Sequence, residues 1–171
     1  MDAEPADLTT ADAFSRWVQP HWQAMARLAS RYSPDADDIL QDALVVAWRK
    51  RSQFDPARGS ARNWLLAITA DQRRKAWRRA VRTLTRQWAE PDTQHPADPR
   101  AAADDHDAGL DLRRAIHKLP ANQALAIDLH YYLGLRVTDV AAIMRCSEGT
   151  VKSHLSRARD RLRDSLGEDY R

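Results

Sequence analysis

The sequence predicts an all-α protein of two small helical domains joined by a flexible acidic linker, the C-terminal domain being a helix-turn-helix. Three observations carry that prediction. Glycine is scarce, with 5 in 171 residues, and no stretch alternates apolar and polar residues as a half-buried strand would. The segment 87–109 has almost no large apolar side chain, and Pro91, Pro96 and Pro99 stand there among Asp92, Asp98, Asp104, Asp105 and Asp107. Such a segment cannot bury enough surface to fold. Third, "TDVAAIM", "RCS" and "SEGTVKSHLSRARDRLR" give a short helix, a tight turn and a second helix with one apolar stripe, the geometry of a helix-turn-helix.

The N-terminal block is expected over 12–86, after an acidic tail at 1–11. Its first helix runs through "ADAFSRWVQPHWQAMARLASRY" and is interrupted or kinked near Pro20, because proline lacks the N–H that a helix interior needs. The second, "SPDADDILQDALVVAWRKR", has Ser33 as N-cap, Pro34 at its first position and aspartates in its first turn. Ile39, Leu40, Ala43, Val46 and Ala47 form its core stripe. "FDPARGS", 54–60, is a turn-rich loop. The long helix "ARNWLLAITADQRRKAWRRAVRTLTRQ" follows, apolar in its first half and densely cationic in its second.

The C-terminal block is expected over 110–168. "LDLRRAIHKL" ends at Pro120, which opens "PANQALAIDLHYYL", closed by Gly134. Thr138 is the expected N-cap of the first helix of the helix-turn-helix. Ser147 caps the second, with Glu148 in its first turn. No further domain is expected after this helix.

Formal net charge is only +3, but its distribution points to nucleic acid. Arg73, Arg74, Lys75, Arg78, Arg79, Arg82 and Arg86 occur together with no acid among them, and the last helix is basic again. Val151, Leu155, Ala158 and Leu162 are the buried stripe of that helix. Its opposite face carries Thr150, Lys152, Ser153, Ser156 and Arg157, side chains able to reach base edges in a major groove. Together with Arg145 and Ser147 they are the candidate residues for a duplex element. Arg136, Arg145, Arg159 and Arg161 are placed to contact phosphates, which position without specifying. For a second, single-stranded element the candidates are Arg58, Arg62, Asn63, Arg73, Arg74, Lys75, Trp77, Arg78 and Arg79. There cations hold the backbone and an aromatic ring stacks a base. Trp64 is expected in the core, whereas Trp77, inside the basic run, is the stacking candidate.

Catalysis finds no support. His21, His95, His106, His117, His130 and His154 fall at no metal-ligand spacing, and no glycine loop or nucleophile elbow is present. No cofactor or metal is expected. Cys146 has no cysteine partner, so no internal disulfide forms. It is either a small buried apolar residue or a modifiable thiol in the turn before the last helix. With neither a membrane-length apolar run nor a basic-then-apolar leader, a cytoplasmic protein without membrane insertion is expected.

The chain from about 12 to 166 resembles the extracytoplasmic-function sigma factors of bacterial RNA polymerase. The resemblance rests on "PDADDILQDALVVAWRK", "NWLLAITA" with the arginine-rich run, and "LPANQALAIDLHYYLGLRVTDVAAIMRCSEGTVKSHLSRARDRLR". It implies a minus-ten-reading and melting domain at 12–86, which captures an extruded base near 54–62, and a minus-thirty-five-reading domain at 110–168. It also implies promoter DNA as a partner in both duplex and single-stranded form. Asp38, Gln41, Asp42 and Trp48 match the helix that docks on the clamp helices of the largest polymerase subunit. The flap of the second subunit is the other contact implied. The linker either threads towards the active-site and RNA-exit channels or serves as a soluble spacer. By resemblance an anti-sigma protein is a further partner, one that can sequester such a factor at the membrane. One departure stands out: Asp71 replaces the family's usual Asn, and Lys75 falls where Asp is frequent. A carboxylate facing DNA is unfavourable unless Arg74 or Lys75 neutralises it. The alternative reading is a free-standing helix-turn-helix regulator that needs no polymerase.

Overall fold

The computed structural model describes residues 8–30, 36–87, 112 and 115–166; the side chains at 77 and 80–87 lie outside that description. Among the described residues every regular element is a helix. Thr10 starts α1 (Ala11–Val18) by accepting a hydrogen bond from the Ala13 amide at 3.2 Å. Pro20 ends it. A 3-10 turn, Gln19–His21, separates α1 from α2 (Trp22–Ser30), as the missing proline N–H requires.

Helix α3 (Ala36–Lys50) buries Ile39, Leu40, Ala43 and Ala47, a stripe at helical spacing. Val46, expected within that stripe, lies at its margin and is only partly buried. The expected cap, Ser33 with Pro34, lies outside the described residues.

Helix α4 (Ala61–Gln87) has 27 residues and spans about 40 Å. Its first three turns hold the buried Ala61, Leu65, Leu66, Ile68 and Ala70. Phe14, Trp17, Trp48, Phe54 and Trp64 form an aromatic cluster that ties α1, α3, the 54–60 loop and α4 together. Trp17 is its hub, with centroids 5.1 Å from Phe54 and 5.8 Å from Trp64.

In the second half of the chain, Ala115, Ile116 and Leu119 are buried, and Pro120 opens α5 (Ala121–Ile127). The helix expected from Pro120 to Leu133 forms, but it changes character: α5 passes directly into Asp128–Tyr132, which widens into a π turn closed by the Leu133 amide donating to the Asp128 carbonyl at 2.9 Å. Widening of this kind inserts a residue into the helical repeat. Asp128 then lies wholly buried while Tyr131 and Tyr132 are exposed. Gly134, at φ 67°, reverses the chain in the left-handed region that glycine enters without steric cost.

Helix α6 (Val137–Met144) begins differently from the expectation. Arg136, not Thr138, holds the N-cap position, and no side chain caps the helix. Thr138 falls inside the first turn, where Asp139 lies beside it and binds Arg136 Nε at 3.1 Å. A carboxylate there offsets the uncompensated amide dipoles that a capping hydroxyl would otherwise satisfy. Helix α7 (Glu148–Leu166) buries Val151, Leu155 and Ala158, with Leu162 partly buried against the same core.

The two halves are packed together. Helix α4 lies along α6 and touches α5, and the buried residues of both halves form one continuous apolar cluster. The linker expected at 87–109 lies, beyond residue 87, outside the described residues.

Candidate nucleic-acid interface

Helices α6 and α7 are joined by a three-residue turn. Arg145 adopts φ 55°, ψ 49° at the end of α6. Its amide donates to the Ala142 carbonyl at 3.3 Å and the Cys146 amide to the Ala141 carbonyl at 3.1 Å, the paired bonds of a left-handed helix terminus. Ser147 then caps α7: its Oγ accepts from the Thr150 amide at 3.1 Å and lies 2.9 Å from Thr150 Oγ1. With α7 fixed by its buried stripe, Arg145, Ser147, Thr150, Lys152, Ser156 and Arg157 are exposed, while Ser153 is half-buried. Arg136, Arg159 and Arg161 are also exposed. Cys146 is partly buried and packs against the core. The candidate duplex-reading residues therefore share an accessible helix face and its leading turn.

The second candidate set is distributed unevenly. Arg58 is exposed in the 54–60 loop, which Asp55 braces by accepting from the Ala57 amide at 2.9 Å. Arg78 and Arg79 are exposed on α4, as is Lys75, whose Nζ reaches Gln72 Oε1 at 3.4 Å. The Trp77 side chain lies outside the described residues, as do those of Arg82 and Arg86. Trp64 packs in the aromatic cluster.

Arg62, Asn63 and Arg73 face the other half of the chain. Asn63 Nδ2 donates to Asp139 Oδ1 at 2.8 Å, and Arg62 Nη2 approaches the Leu133 carbonyl at 3.5 Å. Arg73 Nη1 meets Asp128 Oδ2 at 2.7 Å. Those two atoms lack hydrogen-bond alignment, so their attraction is Coulombic rather than directional. Asp71 is neutralised mainly by Arg74, whose Nη2 lies 2.6 Å from Oδ1, with Arg145 Nη2 3.6 Å from Oδ2. Burial pushes the Asp139 carboxyl up, but hydrogen bonds from Asn63 and Arg136 and the charge of Arg136 more than offset this and hold it below the usual carboxylate range.

On α3, Asp38, Gln41 and Asp42 form an exposed stripe continued by Val45. Trp48, in helical register with that stripe, is half-buried. Its ring meets Phe14 edge-on at 5.2 Å and is covered by the Arg51 guanidinium at 3.8 Å. Arg51 is itself anchored to the Leu8 and Trp48 carbonyls, each at 2.7 Å.

Sequence reasoning missed Asp128 and Asp139 as partners of the α4 residues Arg73 and Asn63. Asp128 did leave a signal. It interrupts the apolar run "ALAIDL" at a position in helical register with Ala124 and Leu125, where a carboxylate requires a partner. Among the described residues no cluster of histidine, cysteine and acidic side chains is arranged to hold a metal. No helix among them is long and apolar enough to cross a membrane.

Residues 14–83 match the family model for sigma-70 region 2, and 109–162 the model for sigma-70 region 4. The extracytoplasmic-function (ECF) RNA polymerase sigma factor SigM of Mycobacterium tuberculosis is 37% identical over 160 residues, covering 91% of this chain and 78% of the relative. SigL of the same species is 32% identical over 155 residues, covering 86% and 85%. Among solved structures, the sigma factor RpoE in complex with the anti-sigma factor NepR from Bartonella quintana matches with a TM-score of 0.63 and 32% identity, over 91% of this chain and 95% of that one. CnrH in complex with the cytosolic domain of CnrY matches with a TM-score of 0.63 and 26% identity, over 94% and 92%.

Proposed function

The chain belongs to the ECF sigma factors of RNA polymerase, and we propose a division of labour by which its two helical blocks direct core polymerase to promoters and open the DNA. The C-terminal block reads the upstream, minus-thirty-five element as duplex. Helix α7 enters the major groove with Lys152, Ser153, Ser156 and Arg157, while Arg145, Ser147 and Thr150 at its leading end hold the backbone and first bases. The exposed, capped face of α7, opposite a fully buried Val151 and Ala158, is the observation that supports this assignment most directly.

The N-terminal block takes the minus-ten element. The 54–60 loop with Arg58, and the α4 residues Arg62, Asn63, Arg73, Arg74, Lys75, Trp77, Arg78 and Arg79, hold the extruded non-template strand. Flipping a base costs a few kcal/mol, which these cations and a stacking ring offset. The α3 residues Asp38, Gln41, Asp42 and Trp48 dock on the clamp helices of the largest polymerase subunit. The C-terminal block rests on the flap of the second subunit. An anti-sigma factor is proposed as a further partner, since RpoE and CnrH are both seen bound to one. The chain works by binding and performs no bond chemistry of its own.

The test is transcription of a genomic-fragment library by purified core RNA polymerase with and without the protein. Starts that depend on the protein and lie a fixed distance from a shared two-part motif are the expected result. Specific duplex binding with no such start would replace the division of labour by a polymerase-independent regulator.

A further inference from the structure

His154 stands on α7 one turn after Thr150 and one turn before Arg157, with Arg161 a further turn on. Residues three and four apart are neighbours on a helix surface, so these four form one strip. Thr150, Arg157 and Arg161 are exposed, whereas His154 is half-buried where the strip borders the buried Val151, Leu155 and Ala158. Its Nδ1 is enclosed without a hydrogen-bond partner, so Nε2 is the ring nitrogen left to exchange a proton with solvent or to meet a ligand. The charges along the strip are of one sign. Glu148 and Asp160 lie on other faces of α7, Asp160 beside Arg163, and Asp164 lies beyond Arg161. Of the helices most closely packed on α7, α5 carries no titratable side chain and α6 carries only Asp139, which Asn63 and Arg136 occupy. Ahead of α5, His117 and Lys118 are exposed.

We propose that His154 is a further duplex contact and that a proton switches it: with Nε2 protonated and the ring charged, it joins Arg157 and Arg161 as the third cation of a phosphate-facing strip. This rests on the assignment of α7 to duplex reading. A neutral imidazole brings no charge to a phosphate, whereas the imidazolium has a donor at each nitrogen. Its bond to a phosphate oxygen is charge-assisted and roughly twice as strong as a neutral one. Linkage then fixes the direction. Phosphates that favour the charged ring make it take up a proton on binding, so affinity rises as pH falls. The gain is complete below the value at which the free ring titrates and is lost as pH rises through the higher value in the complex. An arginine here would bind at every pH; a histidine makes the contact conditional.

The experiment measures binding of the full chain to a fluorescein-labelled, mixed-sequence duplex by anisotropy. Salt series are run at about pH 7.5 and about pH 5.5, either side of the ordinary imidazole value. Phosphate contacts carry no sequence information, so no promoter is needed. The parent, His154→Gln and His154→Arg are compared, with circular dichroism at both pH values reporting the fold. The parent is expected to bind about fivefold tighter at the lower pH, the small end of usual coupling between sites. Its log–log salt slope should steepen there by about 0.9, for one added phosphate contact. His154→Gln is expected to behave at both pH values as the parent does at the higher, and His154→Arg as the parent does at the lower. Parent binding that ignores pH would overturn the proposal. So would a gain on acidification that His154→Gln retains, which would assign the proton to another group such as His117 or His130. Should His154→Gln lose its helicity, the parent's own salt slopes and His154→Arg decide. Absence of duplex binding at both pH values would instead remove the assignment of α7 to duplex reading.

Discussion

Arg145 occupies the left-handed region at φ 55°, where a residue with a β-carbon costs roughly 1–2 kcal/mol relative to glycine. The side chain is 68% exposed and pairs with Asp71 at 3.6 Å, a partly solvated contact that contributes little. That pair offsets little of the backbone strain, and the strain places a cation at the entry of the recognition helix. Arg145→Gly is expected to stabilise the fold by about 1 kcal/mol while weakening duplex binding. Thermal unfolding and duplex anisotropy on one preparation check both halves, and a glycine variant that binds as well as the parent would remove Arg145 from the site. Ser147 is the complementary case. Its hydroxyl satisfies the Thr150 amide, so Ser147→Ala is expected to lower stability by about 1 kcal/mol, a loss read in the same unfolding curves.

Helix α4 joins two opposed requirements in one element, an apolar first half and a cationic second half. Leu65 is fully buried, so Leu65→Ala is expected to cost about 2–5 kcal/mol in denaturant unfolding. Lys75 is exposed, and Lys75→Ala should stay within about 0.5 kcal/mol while weakening single-strand binding. An equal loss of stability in both variants would mean that the cationic half is structural. Elements of this kind were legible because their signals are local. Pro20 and Pro120 break or open helices through a missing N–H, and Val151, Leu155 and Ala158 recur at the helical period. The unread features depend on residues distant in sequence. Thr138 is a good capping residue, yet α6 starts at Arg136 because Asp139 is held there by Arg136 and, from 76 residues away, by Asn63. The π turn at Asp128 accompanies a buried carboxylate whose partner, Arg73, lies on another block. The aromatic cluster that packs around Trp48 is likewise assembled from four separate segments, α1, α3, the 54–60 loop and α4.

At the scale of the whole molecule, the contact between blocks combines one continuous apolar cluster with polar and charged pairs, so part of its strength responds to pH. Removing Arg73 would take the paired cation from the buried Asp128 carboxylate, at a cost of about 3–5 kcal/mol; Asp128→Asn instead removes the wholly buried charge and leaves the less buried guanidinium, and is expected to cost less in a urea titration. Asp139 adds a dependence on pH whose sign is fixed. Its carboxyl is held below the ordinary value of about 3.9 by Asn63 and Arg136 against the opposing effect of burial. The unfolded chain therefore takes up this proton first as pH falls. The stabilisation is fully present above the unfolded value and is lost as pH drops through the lower folded value. Asp139→Asn keeps an oxygen that can accept from Asn63 but cannot titrate. The stability difference between parent and variant should hold constant through neutral pH and shrink below about pH 4. Titration of Asp128 and the other acids is common to both proteins and cancels in that difference. A gap that widens on acidification would mean that burial, not the Asn63 and Arg136 bonds, governs this carboxyl. The contact between α4 and α6 would then owe its strength to apolar packing rather than to charge.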